Sequence, residues 1–86
     1  MDPWKILKYA HMTEKSVGLV EKENKIVFIV DQKADREKIK QAVEQAFEVK
    51  VERVNVVNTT TGEKKAFVKL KPEYKAIDVA VKLGIV

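Results

Sequence analysis

The clearest periodicity in the chain is a helical one, in the segment REKIKQAVEQAF. Its apolar residues recur at the spacing of a single helix face, and they are Ile39, Ala42, Val43, Ala46 and Phe47. Asp35 precedes the segment, and its carboxylate is well placed to accept a backbone N–H bond as the N-terminal cap. The pattern predicts an amphipathic helix whose apolar stripe faces the core.

Three other segments have the composition of strands. The segment KIVFIV (25–30) is apolar at both alternating sets of positions, which is typical of a central strand with both faces covered. The β-branched runs 49–57 and 65–70 flank the polar stretch NTTTGEKK, and this arrangement predicts a β-hairpin. In the first run the apolar positions change from odd to even numbers, so we expect a bulge near Glu52 and Arg53.

Weaker patterns occur near the two ends of the chain. Thr13 is a good cap for a short helix, which we expect the polar run EKENK (21–25) to end. Pro72 ends the last strand because it lacks a donor for the ladder. A final short helix follows, with Gly84 as its C-terminal cap and an apolar stripe of Ile77, Ala80 and Val81.

Together these elements predict an α+β fold, a small sandwich in which helices pack on a mostly antiparallel sheet of three to four strands. A short extended piece precedes the first helix, and its stretch WKILKY would supply the fourth strand. With 86 residues, the chain is expected to form a single domain, 1–86, with a modest core.

Composition narrows the class of protein. The longest apolar run has five residues, from Ile26 to Val30, so we expect no membrane insertion. The N-terminal stretch contains an early acid and no apolar segment of signal-peptide length. Because the chain also lacks cysteine, we expect a cytoplasmic protein without disulfides or thiolate metal sites.

The net charge of +4 is distributed unevenly. The segment 64–75 carries five lysines and one acid, and the segment 1–15 carries three lysines and His11 against two acids. The middle of the chain, 35–52, is nearly balanced, with four bases and five acids. If the fold brings the two ends together, they form one basic face.

Candidate catalytic chemistry is sparse. A histidine-based triad would have to combine His11 with a hydroxyl of the same short segment, which the triad geometry disfavours. The stretch around Gly62 lacks the earlier glycine and the following hydroxyl of a phosphate-binding loop, and it leads into a strand. We therefore expect no metal, cofactor or small-molecule substrate. A small phosphatase that uses Arg53 and Asn55 remains an alternative, although three glycines are few for its anion cradle.

The remaining chemistry suits contacts with backbone phosphates, because amides and hydroxyls give directional bonds and lysines give charge. Such groups lie on the predicted hairpin tip and its outgoing strand, at Asn58, Thr59, Thr60, Thr61, Lys64, Lys65, Lys69 and Lys71. Trp4, Tyr9 and Tyr74 lie near the basic segments, where they would either stack on bases or pack under the chain ends. From spacing alone, a nucleic-acid surface and an ordinary solvated turn both fit.

Five segments in their order resemble the universal ribosomal protein L23 family of the large subunit, in its archaeal form. They are ILKYAHMTEKS, NKIVFIV, FEVKVERVNVVNT, GEKKAFVKL and AIDVAVKLGIV, and they span essentially the whole chain. The resemblance implies a ribosomal protein, not an enzyme, that binds large-subunit rRNA beside neighbouring ribosomal proteins at the exit of the peptide tunnel. It also implies a docking platform for signal recognition particle and the protein-conducting channel.

The resemblance also assigns residues. Its motifs place Thr13, Lys15, Asn55, Asn58, Thr59, Lys64 and Lys65 near rRNA. Their basic, polar or aromatic neighbours extend this predicted RNA site to Lys8, Tyr9, His11, Thr60 and Lys69. Glu14 and Glu48 match positions used in factor docking, which suits acids because a basic factor would attract them and RNA would not. The alternatives are an acid in the first turn of a helix and a solvated helix end.

The chain departs from the bacterial members of the family, which insert a long loop between the last two strands. About six residues separate these strands here, and an extended residue spans only about 3.3–3.6 Å. We therefore do not expect this tip to reach into the tunnel. Two further alternatives remain at this point: a free-standing basic domain that binds nucleic acid without sequence preference, and a ligand-binding or phosphatase-like domain.

Overall fold

The computed structural model describes residues 2–11 and 13–84. The predicted elements are present in the predicted order, and the α+β class is confirmed. A short 3₁₀ turn precedes them. The elements are the turn Pro3–Lys5, β1 (Leu7–Ala10), α1 (Glu14–Glu23), β2 (Lys25–Val30), α2 (Arg36–Phe47), β3 (Val51–Asn58), β4 (Lys64–Leu70) and α3 (Ala76–Lys82). Within the described ranges, no helix is long and apolar enough to cross a membrane.

The four strands form one antiparallel sheet in the order β1-β2-β4-β3. β2 pairs on one side with β1 and on the other with β4, and every residue from Ile26 to Val30 is buried. The prediction of a central strand with both faces covered is therefore confirmed. β4 is the second central strand, since it pairs with β2 on one side and with β3 on the other.

Only the second half of the N-terminal stretch WKILKY is extended. Its first residues form the 3₁₀ turn, because Pro3 has a fixed φ and the Asp2 carboxylate accepts a bond from the Trp4 amide at 3.0 Å. The Trp4 ring, which is 52% exposed, packs edge-on against Phe47 with ring centroids 5.8 Å apart. Trp4 therefore packs under the chain end, which is one of the two roles considered for it.

The hairpin and its bulge are also confirmed. The register of β3 against β4 shifts between Val51 and Arg53, where the sequence predicts one extra residue. The tip closes through the Thr59 amide, which donates to the Glu63 carbonyl at 2.8 Å, and through the Gly62 amide, which donates to the Thr59 carbonyl. Gly62 has a φ of 87°, which glycine adopts without steric cost.

The two long helices begin at the predicted caps. The Thr13 hydroxyl accepts from the Ser16 amide at 3.1 Å, and the Asp35 carboxylate accepts from the Lys38 amide at 2.8 Å. Of the predicted α2 stripe, Ile39, Ala42, Val43 and Phe47 are buried and Ala46 is half-buried. α1 continues through Glu23 and β2 begins at Lys25, so of the run EKENK only Asn24 lies between the two elements.

The apolar stripe of α3 is rotated from the predicted one. Of the predicted residues, Ala80 is buried, Ile77 is half-buried and Val81 is 59% exposed, whereas Ala76 and Val79 are buried and were not predicted. The buried face follows positions 76, 79 and 80 because these residues pack into the core cluster, and Val81 lies to the side. Gly84, with a φ of 76°, follows the end of the helix as predicted.

The core lies on one face of the sheet. Even-numbered residues of β2 and β4, such as Phe28 and Val68, pack in one cluster with the buried residues of the three helices. Because successive strand residues point to opposite faces, the odd-numbered residues of β4 lie on the other side. We call this other side, which the core cluster does not include, the open face; it holds Lys65, Phe67 and Lys69 of β4, which are half-buried, and Val27 and Ile29 of β2, which are buried.

Asn24 links the end of α1 to the segment between β4 and α3. It ends α1 in the left-handed conformation, with a φ of 55°. Its side-chain amide donates to the carbonyls of Leu70 and Tyr74 at 3.2 and 2.9 Å, and its oxygen accepts from the Ala76 amide at 2.6 Å. One asparagine therefore satisfies three backbone groups where β4 leads into α3.

We expect Asn24→Ala to lower the free energy of unfolding by about 3 kcal/mol. The substitution removes three partly buried hydrogen bonds, each worth about 1 kcal/mol, and places a less suitable residue at positive φ. Urea unfolding checks this value. Glu48→Ala is the matched control, since Glu48 is the other left-handed non-glycine residue among those described and is exposed. Equal losses in the two variants would contradict the role given to the amide.

Candidate nucleic-acid interface

The open face carries a row of cations across three strands. Lys69 of β4 lies between Lys25 of β2 and Arg53 of β3 in the register of the sheet. Lys25 forms an ion pair with Glu23 at 3.4 Å, and Lys69 is 4.0 Å from Glu52. The Lys69–Glu52 pair is long and largely exposed and contributes little, whereas the Lys25 side chain is only 15% exposed and its pair with Glu23 is shorter. Lys69 and Arg53 are therefore the weakly compensated cations of the row.

A second row lies one step along the strands. Phe67 of β4 is paired with Val27 of β2 on one side and with Asn55 of β3 on the other. The next row joins Ile29, Lys65 and Val57 in the same way, with Tyr9 of β1 beside Ile29. The open face is therefore a mixed surface, with lysines, an amide and apolar groups alternating along it.

A crevice separates the N-terminal part of α1 from this face. It has a volume of about 110 Å³, and it is lined by His11, Thr13, Lys15, Ser16, Leu19, Val27, Lys65 and Phe67. Residues before and inside α1 thus meet residues of β4, although about fifty residues separate them in sequence. The two basic stretches thus meet through His11, Lys15 and Lys65, so the single basic face that adjacent ends would form is present only in part.

The hydroxyl groups of the crevice are already engaged. Thr13 and Ser16 form a reciprocal capping box: the Ser16 amide donates to Thr13 at 3.1 Å, and the Thr13 amide donates to Ser16 at 3.3 Å. The two hydroxyls also bond to each other at 2.5 Å. Among the described residues, neither Lys15 nor Lys65 makes an ion pair or a side-chain hydrogen bond. The lysines are therefore the groups available to an anion.

The adjacent lysines Lys64 and Lys65 have different environments. The Lys64 ammonium donates to the carbonyls of Ala34 and Gln32, at 2.5 and 3.3 Å, and so fixes the loop between β2 and α2. Lys65 lies on the opposite face, at the crevice. Of the two predicted RNA contacts, Lys64 has a structural task within the fold, whereas Lys65 is at the open face.

The predicted polar groups of the hairpin tip are partly used within the tip. The Thr59 hydroxyl donates to the Glu63 carbonyl and accepts from the Glu63 amide, both at 3.1 Å. Asn58 and Thr60 are exposed beside it. A separate hollow near the tip is lined by residues of β1 and of the tip, including Lys8, Tyr9 and Thr61. Lys8 and Tyr9, which the sequence assigns to the same RNA site as the tip, thus lie close to the tip in the fold.

Tyr9 is tied to the tip by a bond that the sequence patterns do not predict. Its phenol donates to the Glu63 carboxylate at 2.7 Å, across 54 positions of sequence. This hydrogen bond, with a smaller effect of desolvation, raises the pKa of Tyr9 above its ordinary value of 10.0. The bond joins β1 to the hairpin and holds half-exposed Tyr9 at the edge of the open face.

The two predicted docking acids lie on other elements. Glu14 is the first residue of α1, and its carboxylate also favours the positive end of the helix dipole. Glu48 follows α2 in the left-handed conformation, and it borders a groove formed with the start of α3. Both are exposed, and neither forms a hydrogen bond or ion pair among the residues that the structure describes.

Three residues of the open face were not among the predicted RNA contacts. Phe67 lies within the predicted strand 65–70, Lys25 begins the predicted strand KIVFIV, and Arg53 was assigned to the bulge and to the phosphatase alternative. Alternation alone places Phe67 and Lys69 on one side of β4. The pairing of β4 with β2 and β3, which brings Lys25 and Arg53 to Lys69, requires the sheet order.

Comparisons with known proteins agree with this architecture. The model of the family described as Ribosomal protein L23 matches residues 5–84. The chain belongs to this family. It is 44% identical, over 85 residues and 99% of both chains, to the large ribosomal subunit protein uL23 of Methanothermobacter thermautotrophicus. The predicted resemblance to the archaeal form of the family is thereby confirmed.

Family membership decides between the classes that the sequence leaves open. The ribosomal protein L23 family consists of structural constituents of the ribosome, not of enzymes, so the phosphatase alternative for Arg53 and Asn55 is excluded. The protein acts in translation as part of a cytoplasmic ribonucleoprotein, as predicted, with rRNA and ribosomal proteins as partners.

The Tyr9–Glu63 bond gives a testable dependence on pH. We expect Glu63→Ala to lower the pKa of Tyr9 toward 10.0, because the variant removes both the hydrogen bond and the nearby charge. The folded state holds the phenol proton more tightly than the unfolded state. The bond therefore stabilises the protein fully below pH 10, and this stabilisation is lost as the pH rises through the raised pKa. Titration of the Tyr9 ring by NMR measures its pKa in the native protein and in the variant. An unchanged pKa in the variant would refute Glu63 as the cause of the raised pKa.

Proposed function

We propose that the open face and the crevice bind large-subunit rRNA beside the exit of the peptide tunnel. In this proposal Lys15, Lys65 and Lys69 contact phosphates, together with Lys25 and Arg53. The observation that carries the proposal is the row of Lys25, Lys69 and Arg53 across three neighbouring strands. The row lies next to a crevice rimmed by two further lysines.

Electrostatics supports an anionic partner for this face. Like charges opposite one another on neighbouring strands destabilise a sheet, and Glu52, 4.0 Å from Lys69, compensates the central cation of the row only weakly. A phosphate backbone would remove this repulsion and would release counterions on binding. The other predicted contacts, His11, Thr13, Asn55, Asn58, Thr59, Thr60, Lys8 and Tyr9, would then lie at the centre or the rim of the same interface. Lys64, on the opposite face, would support the fold and not contact this rRNA surface directly.

The hairpin tip sets the limit of this interface. Five residues, 59–63, connect β3 to β4, and they are closed by bonds within the tip. We propose that the tip contacts rRNA at the edge of the tunnel and does not line the tunnel itself. The fully extended length of so few residues, at about 3.3–3.6 Å each, supports this limit.

We further propose that Glu14 and Glu48 belong to the surface on which nascent-chain factors dock, including signal recognition particle and the protein-conducting channel. Both carboxylates are exposed, and both lie outside the cationic row. Basic segments of a docking factor would be attracted to such acids, whereas rRNA would be repelled by them.

Binding of the full chain to transcribed large-subunit rRNA tests the RNA proposal. We expect Lys65→Ala and Lys69→Ala each to weaken binding and to reduce the slope of log affinity against log salt by about 0.7–0.9, the range for one lost phosphate contact in single strands and duplexes. Affinity is measured between about 50 and 200 mM salt. Lys38→Ala is the matched control, because Lys38 is exposed on α2, in the helix layer. Equal slopes for Lys65→Ala and Lys38→Ala would refute the proposal.

Charge reversal tests the docking proposal on assembled ribosomes. We expect Glu14→Lys to lower the association rate of signal recognition particle several-fold, with the largest effect at low salt, where electrostatic steering is strongest. Stopped-flow fluorescence with labelled factor measures this rate. Glu37→Lys provides the control, since Glu37 is an exposed acid in the first turn of another helix. A rate that is unchanged in Glu14→Lys would exclude Glu14 from docking.

A further inference from the structure

We propose that the crevice between α1 and the open face holds one unpaired base of the bound RNA. The base is inserted beside Phe67, and its flanking phosphates lie on Lys15 and Lys65. This inference rests on the proposed function, and it adds a recognition mode. The protein would bind a nucleotide turned out of its stack, not only a phosphate backbone.

The floor of the crevice is suited to a flat ring. Leu19 of α1, Val27 of β2 and Phe67 of β4 line it, and Val27 is almost fully buried at 3% exposure. Its volume of about 110 Å³ is of the same order as the roughly 150 Å³ of an engineered apolar cavity that binds benzene. The crevice can therefore take a single ring but not a stacked pair of bases.

The basic groups that line the crevice favour an anionic ligand. Lys15, Lys65 and His11 are its titratable lining groups, and its lining includes no carboxylate. The two lysines approach from different elements, one from α1 and one from β4. A ligand with an apolar ring and anionic groups on both sides matches this arrangement, and an unstacked nucleotide has this chemistry.

The polar groups at the rim favour a base without strong sequence selection. The hydroxyls of Thr13 and Ser16 bond to each other and to the backbone of the capping box. The backbone amide of His11 donates to the Val27 carbonyl at 2.9 Å. With these groups engaged, stacking and contact with the apolar floor supply most of the affinity, as in sequence-tolerant binding of single strands.

Removing the aromatic ring should have an effect different from removing a charge. We expect Phe67→Ala to weaken binding to transcribed large-subunit rRNA by about 5- to 150-fold, the range for loss of one base–aromatic stack. The salt slope should stay unchanged, since no phosphate contact is lost. Phe67→Leu should show a smaller loss with the fold preserved. Val81→Ala is the matched control, because Val81 is an apolar residue of α3, 59% exposed, and lies outside the open face and the crevice.

A direct probe tests the crevice itself. The full chain is titrated with uridine 5′-monophosphate and, separately, with ribose 5-phosphate at equal ionic strength, and amide resonances are followed by NMR. The nucleotide should shift the resonances of Leu19, Val27 and Phe67, whereas ribose 5-phosphate should shift only those near Lys15 and Lys65. Identical shifts with both ligands would overturn the inference.

The outcomes separate the two proposals. If Lys65→Ala weakens rRNA binding and Phe67→Ala does not, rRNA binding stands and the inserted base is excluded. If neither variant weakens binding, the proposed interface is itself wrong. If Phe67→Ala impairs incorporation into the subunit but not binding to protein-free rRNA, the occupant of the crevice is a neighbouring protein, and the inserted base is again excluded.

Discussion

The pairing of β4 with both β2 and β3 is the constraint on which the rest of the structure depends. This register directs Ala66, Val68 and Leu70 to the helices, where they are buried, and leaves the odd-numbered residues of β4 on the other face. A shift of one residue would exchange these sets, placing lysines in the core and apolar groups in solvent. Core formation and the cationic surface are thus set by the same hydrogen-bonded ladder.

The same register explains why the open face conflicts with ordinary sheet stability. Lys25, Lys69 and Arg53 are neighbours because the apolar residues on the other side require this alignment. Natural folds tend to depart from locally favourable patterns where a surface has a function. In a ribosomal protein, a row of cations beside an apolar crevice is such a departure, and the core on the opposite face, with eighteen buried apolar residues among those described, offsets its cost.

Local patterns in the sequence predicted most of the fold, whereas the contacts between distant segments were not predictable from them. The caps at Thr13 and Asp35 and the bulge before Arg53 depend on neighbouring residues, and all three are confirmed. Val81 was wrongly predicted to be part of the buried stripe of α3, because packing against the rest of the fold decides which face of so short a helix is buried. In the candidate site, adjacent lysines look equivalent in sequence. The carbonyls that bind Lys64 lie about thirty residues away, so only the folded chain distinguishes it from Lys65.

The hydrogen bonds of the hairpin tip have a consequence for the thermodynamics of assembly. The Thr59 hydroxyl bonds to the backbone of Glu63 within the tip. The Glu63 carboxylate accepts a hydrogen bond from Tyr9 of the edge strand β1. A segment that is already ordered does not lose conformational entropy when it meets its partner, whereas segments that fold on binding do. This short tip is therefore preorganised, and more of the energy of the proposed rRNA contact would remain available as affinity.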